Sequence, residues 1–118
     1  MRPKNYKGSR CTKRKFKKCD EIVKTYDKVQ TAYAEALNKD KNVTNFQCNV
    51  PLTDTEYTTD FVCIKADGDI MVRECVYRKQ LSLPRTCKLL DLSREFWLKR
   101  GVNDWAIVIE TEENNENK

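Results

Sequence analysis

Asp60 and Glu74 are the residues of this 118-residue chain whose type and spacing could do chemistry. They stand on two β-rich runs, Tyr57 to Lys65 and Ile70 to Val76, joined through Asp67-Gly68. Asp-Gly between apolar, β-branched runs is a hairpin signal. A three-residue connection, Asp67-Gly68-Asp69, with Gly68 or Asp69 at positive φ, sets Ala66 opposite Ile70, Ile64 opposite Val72, Val62 opposite Glu74 and Asp60 opposite Val76. Strand side chains alternate between faces. Asp60, Val62, Ile64, Val72, Glu74 and Val76 then share one face, and the two carboxylates are diagonal neighbours. A two-residue turn would put them on opposite faces. Carboxylates in an apolar setting repel each other and are costly to bury ionised. A divalent cation relieves both penalties, and oxygen ligands suit Mg²⁺ or Mn²⁺. The same acids also suit a plainer role, with Glu74 capping a sheet edge in solvent and Asp60 opening a strand.

The elements around this hairpin read as one domain. Asp20 to Leu37 is expected to be a helix, with Ile22, Tyr26, Val29, Tyr33 and Leu37 forming an apolar stripe and Asp20-Glu21 at its positive end. Val43 to Leu52 reads as a strand, and the hairpin strands as roughly 57–65 and 70–78. A second helix starts at Ser82-Leu83-Pro84, with Ser82 as N-cap. Its apolar face is Leu89, Leu90, Leu92, Phe96, Trp97 and Leu98, and Gly101 stops it. Trp105-Ala106-Ile107-Val108-Ile109 is a continuous apolar run that suits a buried central or parallel strand. The order α-β-β-β-α-β predicts a single α/β domain over 20–110, with a mixed sheet flanked by helices and a right-handed crossover to a parallel pair. Trp97 and Trp105 are expected in the core.

Charge is unevenly placed. Residues 1–19 carry nine Lys/Arg and no acid, whereas residues 110–118 carry four Glu and one Lys. The division is a basic arm over 1–19, the domain, and an acidic tail over 111–118. A basic arm points to a polyanion, nucleic acid first, and serves equally as a solvated tail. Lys13, Arg14, Lys15, Lys17 and Lys18 are its candidate contacts, with Lys79 and Arg85 further on. Arg85 and Lys88 are cations at the positive end of a helix, a mismatch that suits a phosphate-facing role and almost equally plain solvent exposure.

Several classes are excluded. No apolar run approaches the ~18 residues of a membrane span, and Met1-Arg2-Pro3-Lys4 lacks the apolar core of a signal peptide. A cytoplasmic protein is expected. The chain has no histidine, so Ser-His-Asp, Cys-His and His-based metal chemistry are out. Its six cysteines include no C-x-x-C pair, which argues against zinc. Cys63 and Cys75 read as reduced core residues on the hairpin face opposite the acids. Only Gly8, Gly68 and Gly101 are glycine, too few for a phosphate-cradling loop.

Four stretches carry a family resemblance. They are Tyr33-Ala34-Glu35-Ala36-Leu37 leading into Lys39-Asp40-Lys41-Asn42-Val43, then Tyr57-Thr58-Thr59-Asp60-Phe61, then Val72-Arg73-Glu74-Cys75-Val76, and Gly101-Val102-Asn103-Asp104-Trp105-Ala106-Ile107-Val108. With the element order, they resemble the PD-(D/E)xK, restriction-endonuclease-like fold. More closely, they resemble the N-terminal catalytic domain of TnsA-type transposon endonucleases, over roughly residues 20–110. The resemblance implies that Asp60 and Glu74 are metal ligands. It also puts the family's helix acid at Gln30, with Glu35 a weaker candidate. The family's lysine falls at Val76, which can neither orient water nor stabilise negative charge. Arg78, Lys79 or Lys88 would have to supply that cation.

The residues and the resemblance together support two functional readings. One is a metal-dependent DNA endonuclease of a prokaryotic mobile element or phage, using Mg²⁺ or Mn²⁺. The other is a degenerate nuclease fold that binds nucleic acid or a nucleoprotein complex. It would be a mobile-element accessory factor with a transposase as partner, or an anti-CRISPR-type inhibitor of a CRISPR effector. A third, generic reading is an α/β domain whose partner is protein only.

Overall fold

The structure, a computed structural model, describes residues 11–110. In chain order the elements are β1 (Thr12–Arg14), β2 (Val23–Thr25), α1 (Lys28–Lys39), β3 (Val43–Pro51), β4 (Thr58–Lys65), β5 (Ile70–Cys75), a 3-10 turn (Arg78–Gln80), α2 (Pro84–Leu98) and β6 (Asp104–Val108). Strands β3-β4-β5-β6 form a four-stranded sheet in that order, and β1-β2 a separate ribbon. The β3–β4 and β4–β5 pairs are antiparallel and β5–β6 is parallel, so the expected mixed α/β sheet and its parallel crossover are present. Residues 1–10 of the basic arm and the acidic tail, 111–118, lie outside the described residues.

The hairpin forms at Asp67-Gly68 with a register different from the expected one. Ile64 faces Ile70, Cys63 faces Met71 and Val62 faces Val72. Lys65 N–H donates to Asp69 O, and Gly68 N–H to Lys65 O. The connection is therefore Ala66-Asp67-Gly68, one residue earlier than read, with Gly68 at φ 92°. An i to i+3 turn followed by a left-handed glycine is a favoured three-residue hairpin loop. The loop still has an odd length, so the faces are kept. What changes is that Glu74 moves from diagonal to directly across from Asp60.

The first helix starts later than its apolar stripe predicts. Val23–Thr25 is a strand, and α1 begins after Asp27, whose carboxylate accepts the Gln30 N–H at 2.8 Å. Asp27 is a strong N-cap, and Val23 and Thr25 are β-branched and alternate inward. Ile22 is 60% exposed. From the stripe, Val29 and Leu37 are buried, joining Phe46, Phe61, Cys63, Met71 and Cys75 under α1. The arm also departs from expectation. Thr12 to Arg14 pairs with β2, and Phe16 and Cys19 are buried in the same core. All six cysteines are free thiols, and burial pushes Cys63 up to about 12.

The second helix keeps Leu90 buried and Leu89, Phe96 and Trp97 half-buried, as predicted, but not the whole of the predicted face. Leu83, not Ser82, is the N-cap residue, and no side chain caps the helix. Thr86, Leu90 and Ser93 are the buried positions, while Leu92 and Leu98 are exposed. Gly101, at φ 81°, stops the helix as expected. β6 is the parallel strand of the two alternatives, placed at the sheet edge and not buried in its centre, with Ile107 exposed. No helix among the described residues is long and apolar enough to cross a membrane.

Asp104 ties β6 to its neighbours. It accepts from Lys65 Nζ at 2.8 Å and from Arg73 at 2.8 Å. The Lys65 hydrogen bond, with Arg73 beside it, holds the Asp104 carboxyl below its ordinary value. A depressed carboxyl stabilises above its unfolded pKa and loses that contribution as pH falls through its folded pKa. The pair is partly exposed, so Asp104→Asn lowers stability by about 1 kcal/mol at neutral pH. Urea denaturation of the two proteins should show that gap closing once pH drops below the ordinary carboxylate range.

Candidate functional site

Asp60, Glu74 and Gln30 come together from β4, β5 and α1, and they are 2%, 0% and 1% exposed. The backbone around Asp60 explains how. The β4–β5 ladder ends at Phe61 opposite Arg73, and the β3–β4 ladder skips the Asn49 level, where Asn49 has φ 59°. Asp60 thus sits where the sheet opens on both sides.

The carboxylates fill that opening. Asp60 Oδ2 accepts the Cys75 N–H at 2.7 Å, and Glu74 Oε1 accepts the Asp60 N–H at 3.1 Å. Each acid supplies an acceptor to a backbone donor where the strands part. The remaining contacts point to different helices. Asp60 Oδ1 accepts Gln30 Nε2 of α1 at 2.6 Å. Glu74 Oε2 accepts the Ser93 hydroxyl of α2, and Oε1 the Tyr57 hydroxyl at 2.7 Å. The expectation of one shared face therefore fails in detail. The acids meet, but Asp60 leans to α1 and Glu74 to α2.

Outer partners hold this cluster in place. Gln30 Oε1 accepts the Tyr26 N–H at 2.9 Å, which aims the amide nitrogen at Asp60. The same nitrogen donates to Asn49 Oδ1 at 2.7 Å. Trp105 Nε1 donates to Ser93 Oγ, and Trp97 Nε1 to Thr59 Oγ1, each at 3.0 Å. The two tryptophans, expected as plain core, are half-buried and use their ring N–H groups at the site. Burial, reinforced by the Glu74 and Asp60 charges, pushes the Tyr57 phenol far above its ordinary value. Tyr57 is a permanent hydrogen-bond donor.

As a Mg²⁺ or Mn²⁺ site the donor set fits poorly. Every oxygen of the Asp60 and Glu74 carboxylates accepts at least one protein hydrogen bond. Gln30 presents its amide nitrogen, not its carbonyl, to Asp60. No group of three or more His, Cys, Asp or Glu among the described residues could hold a metal ion.

The expected cations are elsewhere. Val76 is buried and its N–H donates to Val108 O. Arg78 is not on the Glu74 strand; the chain has left β5 and Arg78 opens the 3-10 turn, exposed. Lys88 is exposed on α2 and Lys79 on the turn. Of the arm residues, Arg14 pairs with Glu35 at 2.6 Å. Lys15 Nζ donates to the Cys19 and Asp20 carbonyls, and Lys18 Nζ to those of Leu37 and Asp40 at the end of α1. Lys13, Lys17 and Arg85 are exposed.

Sequence reasoning missed Ser93 and Asn49. Ser93 carried a signal, since it interrupts the apolar spacing between Leu90 and Trp97. Asn49 carried none, because its role depends on a left-handed backbone in mid-strand. The sequence matches no protein-family model and no curated protein.

Proposed function

We propose that this protein is a DNA-binding module of a prokaryotic mobile element, built on a TnsA-like, PD-(D/E)xK-type scaffold that no longer cuts. One observation carries the reading. The acid pair is closed by the chain's own donors, with Gln30 donating to Asp60 and Tyr57 and Ser93 donating to Glu74. Amide and hydroxyl donors supply the compensation that a cation would give to buried carboxylates. Val76, buried where the family's lysine would lie, fits the same reading. The exposed cations Lys13, Lys17, Lys79, Arg85 and Lys88 supply polyanion affinity. A transposase or a CRISPR effector bound to DNA is the matching class of protein partner.

The convergence of Asp60, Glu74 and Gln30 favours a second reading, a Mg²⁺-dependent endonuclease whose site opens on DNA. Plasmid nicking and gel shift in the same tubes separate the two. Wild type is run beside Asp60→Asn and Glu74→Gln, with Mg²⁺, Mn²⁺ or EDTA. Binding without nicking, alike in EDTA and in metal, is expected. Metal-dependent nicking lost in both variants would establish the endonuclease instead.

A further inference from the structure

Lys13 and Lys24 stand directly opposite each other in the β1–β2 ribbon, and both are exposed. Their neighbours in β2, Val23 and Thr25, are buried against the domain. Strand alternation therefore turns Lys13 and Lys24 to the outer side. Like charges directly opposite across a strand pair are destabilising. Three residue pairs make up this ribbon, so it has little pairing energy with which to offset the repulsion. An anion between the two ammonium groups removes it. Of the described cations flanking the ribbon, Arg14 is paired with Glu35 and Lys15 and Lys18 are bonded to carbonyls, while Lys17 is exposed.

The ribbon is also tied to the carboxylate cluster. Asn49 Nδ2 donates to the Lys24 carbonyl at 2.6 Å. Asn49 Oδ1 accepts Gln30 Nε2, which donates to Asp60 as well. Asn49 makes this bridge from a left-handed conformation, φ 59°, which is unfavourable for a non-glycine residue. Lys24 is thus held by its own backbone at a fixed place relative to Asp60.

We infer that the β1–β2 ribbon is a DNA-backbone contact, with Lys13 and Lys24 straddling phosphates and Asn49 setting the ribbon's seat. An antiparallel ribbon is narrow enough to enter a major groove, and phosphate contacts of this kind fix register without reading sequence. The inference rests on the DNA-binding reading above and adds the surface that does the binding, including Lys24, which charge runs in the sequence did not single out.

The test is fluorescence anisotropy of a labelled DNA duplex with the full chain over a series of salt concentrations. Wild type is compared with Lys13→Gln/Lys24→Gln and with Lys39→Gln/Lys41→Gln, an exposed pair carrying the same charge change. Two lost phosphate contacts reduce the salt slope by about 1.8 and weaken binding on the order of tenfold to a hundredfold near 0.1 M salt. The control pair should leave the slope unchanged. Thermal melting should show the ribbon variant as stable as wild type or more so, because a repulsion is gone. Unchanged affinity and slope in the ribbon variant, or an equal loss in the control, overturns the ribbon and leaves DNA binding standing. Failure of wild type to bind the duplex overturns the DNA-binding reading and the ribbon with it.

Discussion

Glu74→Ala should lower the stability of the protein by about 4 kcal/mol, measured by thermal or urea unfolding in EDTA. The substitution removes the acceptor to which the Tyr57 hydroxyl, the Ser93 hydroxyl and the Asp60 N–H are bonded. Each buried donor left without a partner costs about 1–3 kcal/mol. The removed side chain is fully buried, so a cavity adds to the loss. Two terms oppose this. A buried charge is removed, and so is its repulsion with Asp60. With a hydrogen bond on every carboxylate oxygen, the opposing terms are the smaller ones, and breaking such a network typically costs about 3–5 kcal/mol. For a domain of this size about 4 kcal/mol is a fall of roughly 20 °C in Tm. Acids kept as metal ligands predict the opposite sign, because without metal they only repel and removing one relieves the fold. A higher Tm for Glu74→Ala in EDTA would therefore sink the structural reading. Glu74→Gln keeps an acceptor for Tyr57 and the Asp60 N–H, and should lose about 1 kcal/mol.

The same network shows what could be read from the sequence. The hairpin was legible because Asp67-Gly68 lies between alternating runs, and the odd loop length kept Asp60 level with Glu74 across the two strands even though the register was shifted and their side chains lean to different helices. The meeting of Asp60 with Glu74 followed from that alone. The resemblance put Gln30 beside them, where the structure also places it. Of the partners, Ser93 is marked only by the break it makes in the apolar spacing of α2, and Tyr57 looks like a strand residue until its hydroxyl is found on the same carboxylate. The start of α1 is obscured in the sequence because Ile22, Tyr26 and Val29 mimic a helical stripe, although β-branched Val23 and Thr25 extend the backbone and Asp27 caps only the residues from Lys28 onward. Arg78 reads as strand in the sequence because nothing in Tyr77-Arg78-Lys79-Gln80 breaks a β pattern. The turn forms there because Gln80 folds back, its side-chain oxygen accepting the Tyr77 N–H and its own N–H donating to Tyr77 O.

Gln30→Glu tests the cluster from the other side. In the native protein the Gln30 amide nitrogen lies 2.6 Å from Asp60 Oδ1 and 2.7 Å from Asn49 Oδ1. Glutamate still accepts the Tyr26 N–H, but it turns both donated bonds into contacts between oxygens and sets a second buried charge against Asp60. Loss of about 3 kcal/mol or more is expected in EDTA, a Tm fall of roughly 10–20 °C. The variant also creates what the native site lacks, two carboxylates facing each other with Glu74 close by. Oxygen donors of that kind hold Mg²⁺ or Mn²⁺. A ligand that binds only the folded state restores about 2.7 kcal/mol at a hundredfold excess over Kd. The Tm of Gln30→Glu should therefore climb with added Mn²⁺, while that of wild type stays flat. A wild-type Tm that climbs as steeply would mean that the native acids already take a metal, and that Gln30 yields its place to one. A variant destabilised in EDTA and indifferent to Mn²⁺ would mean that the acids are held too rigidly by Cys75, Tyr57 and Ser93 to turn toward a cation. The lock would then lie in the strands and α2, and one substitution in α1 would not undo it.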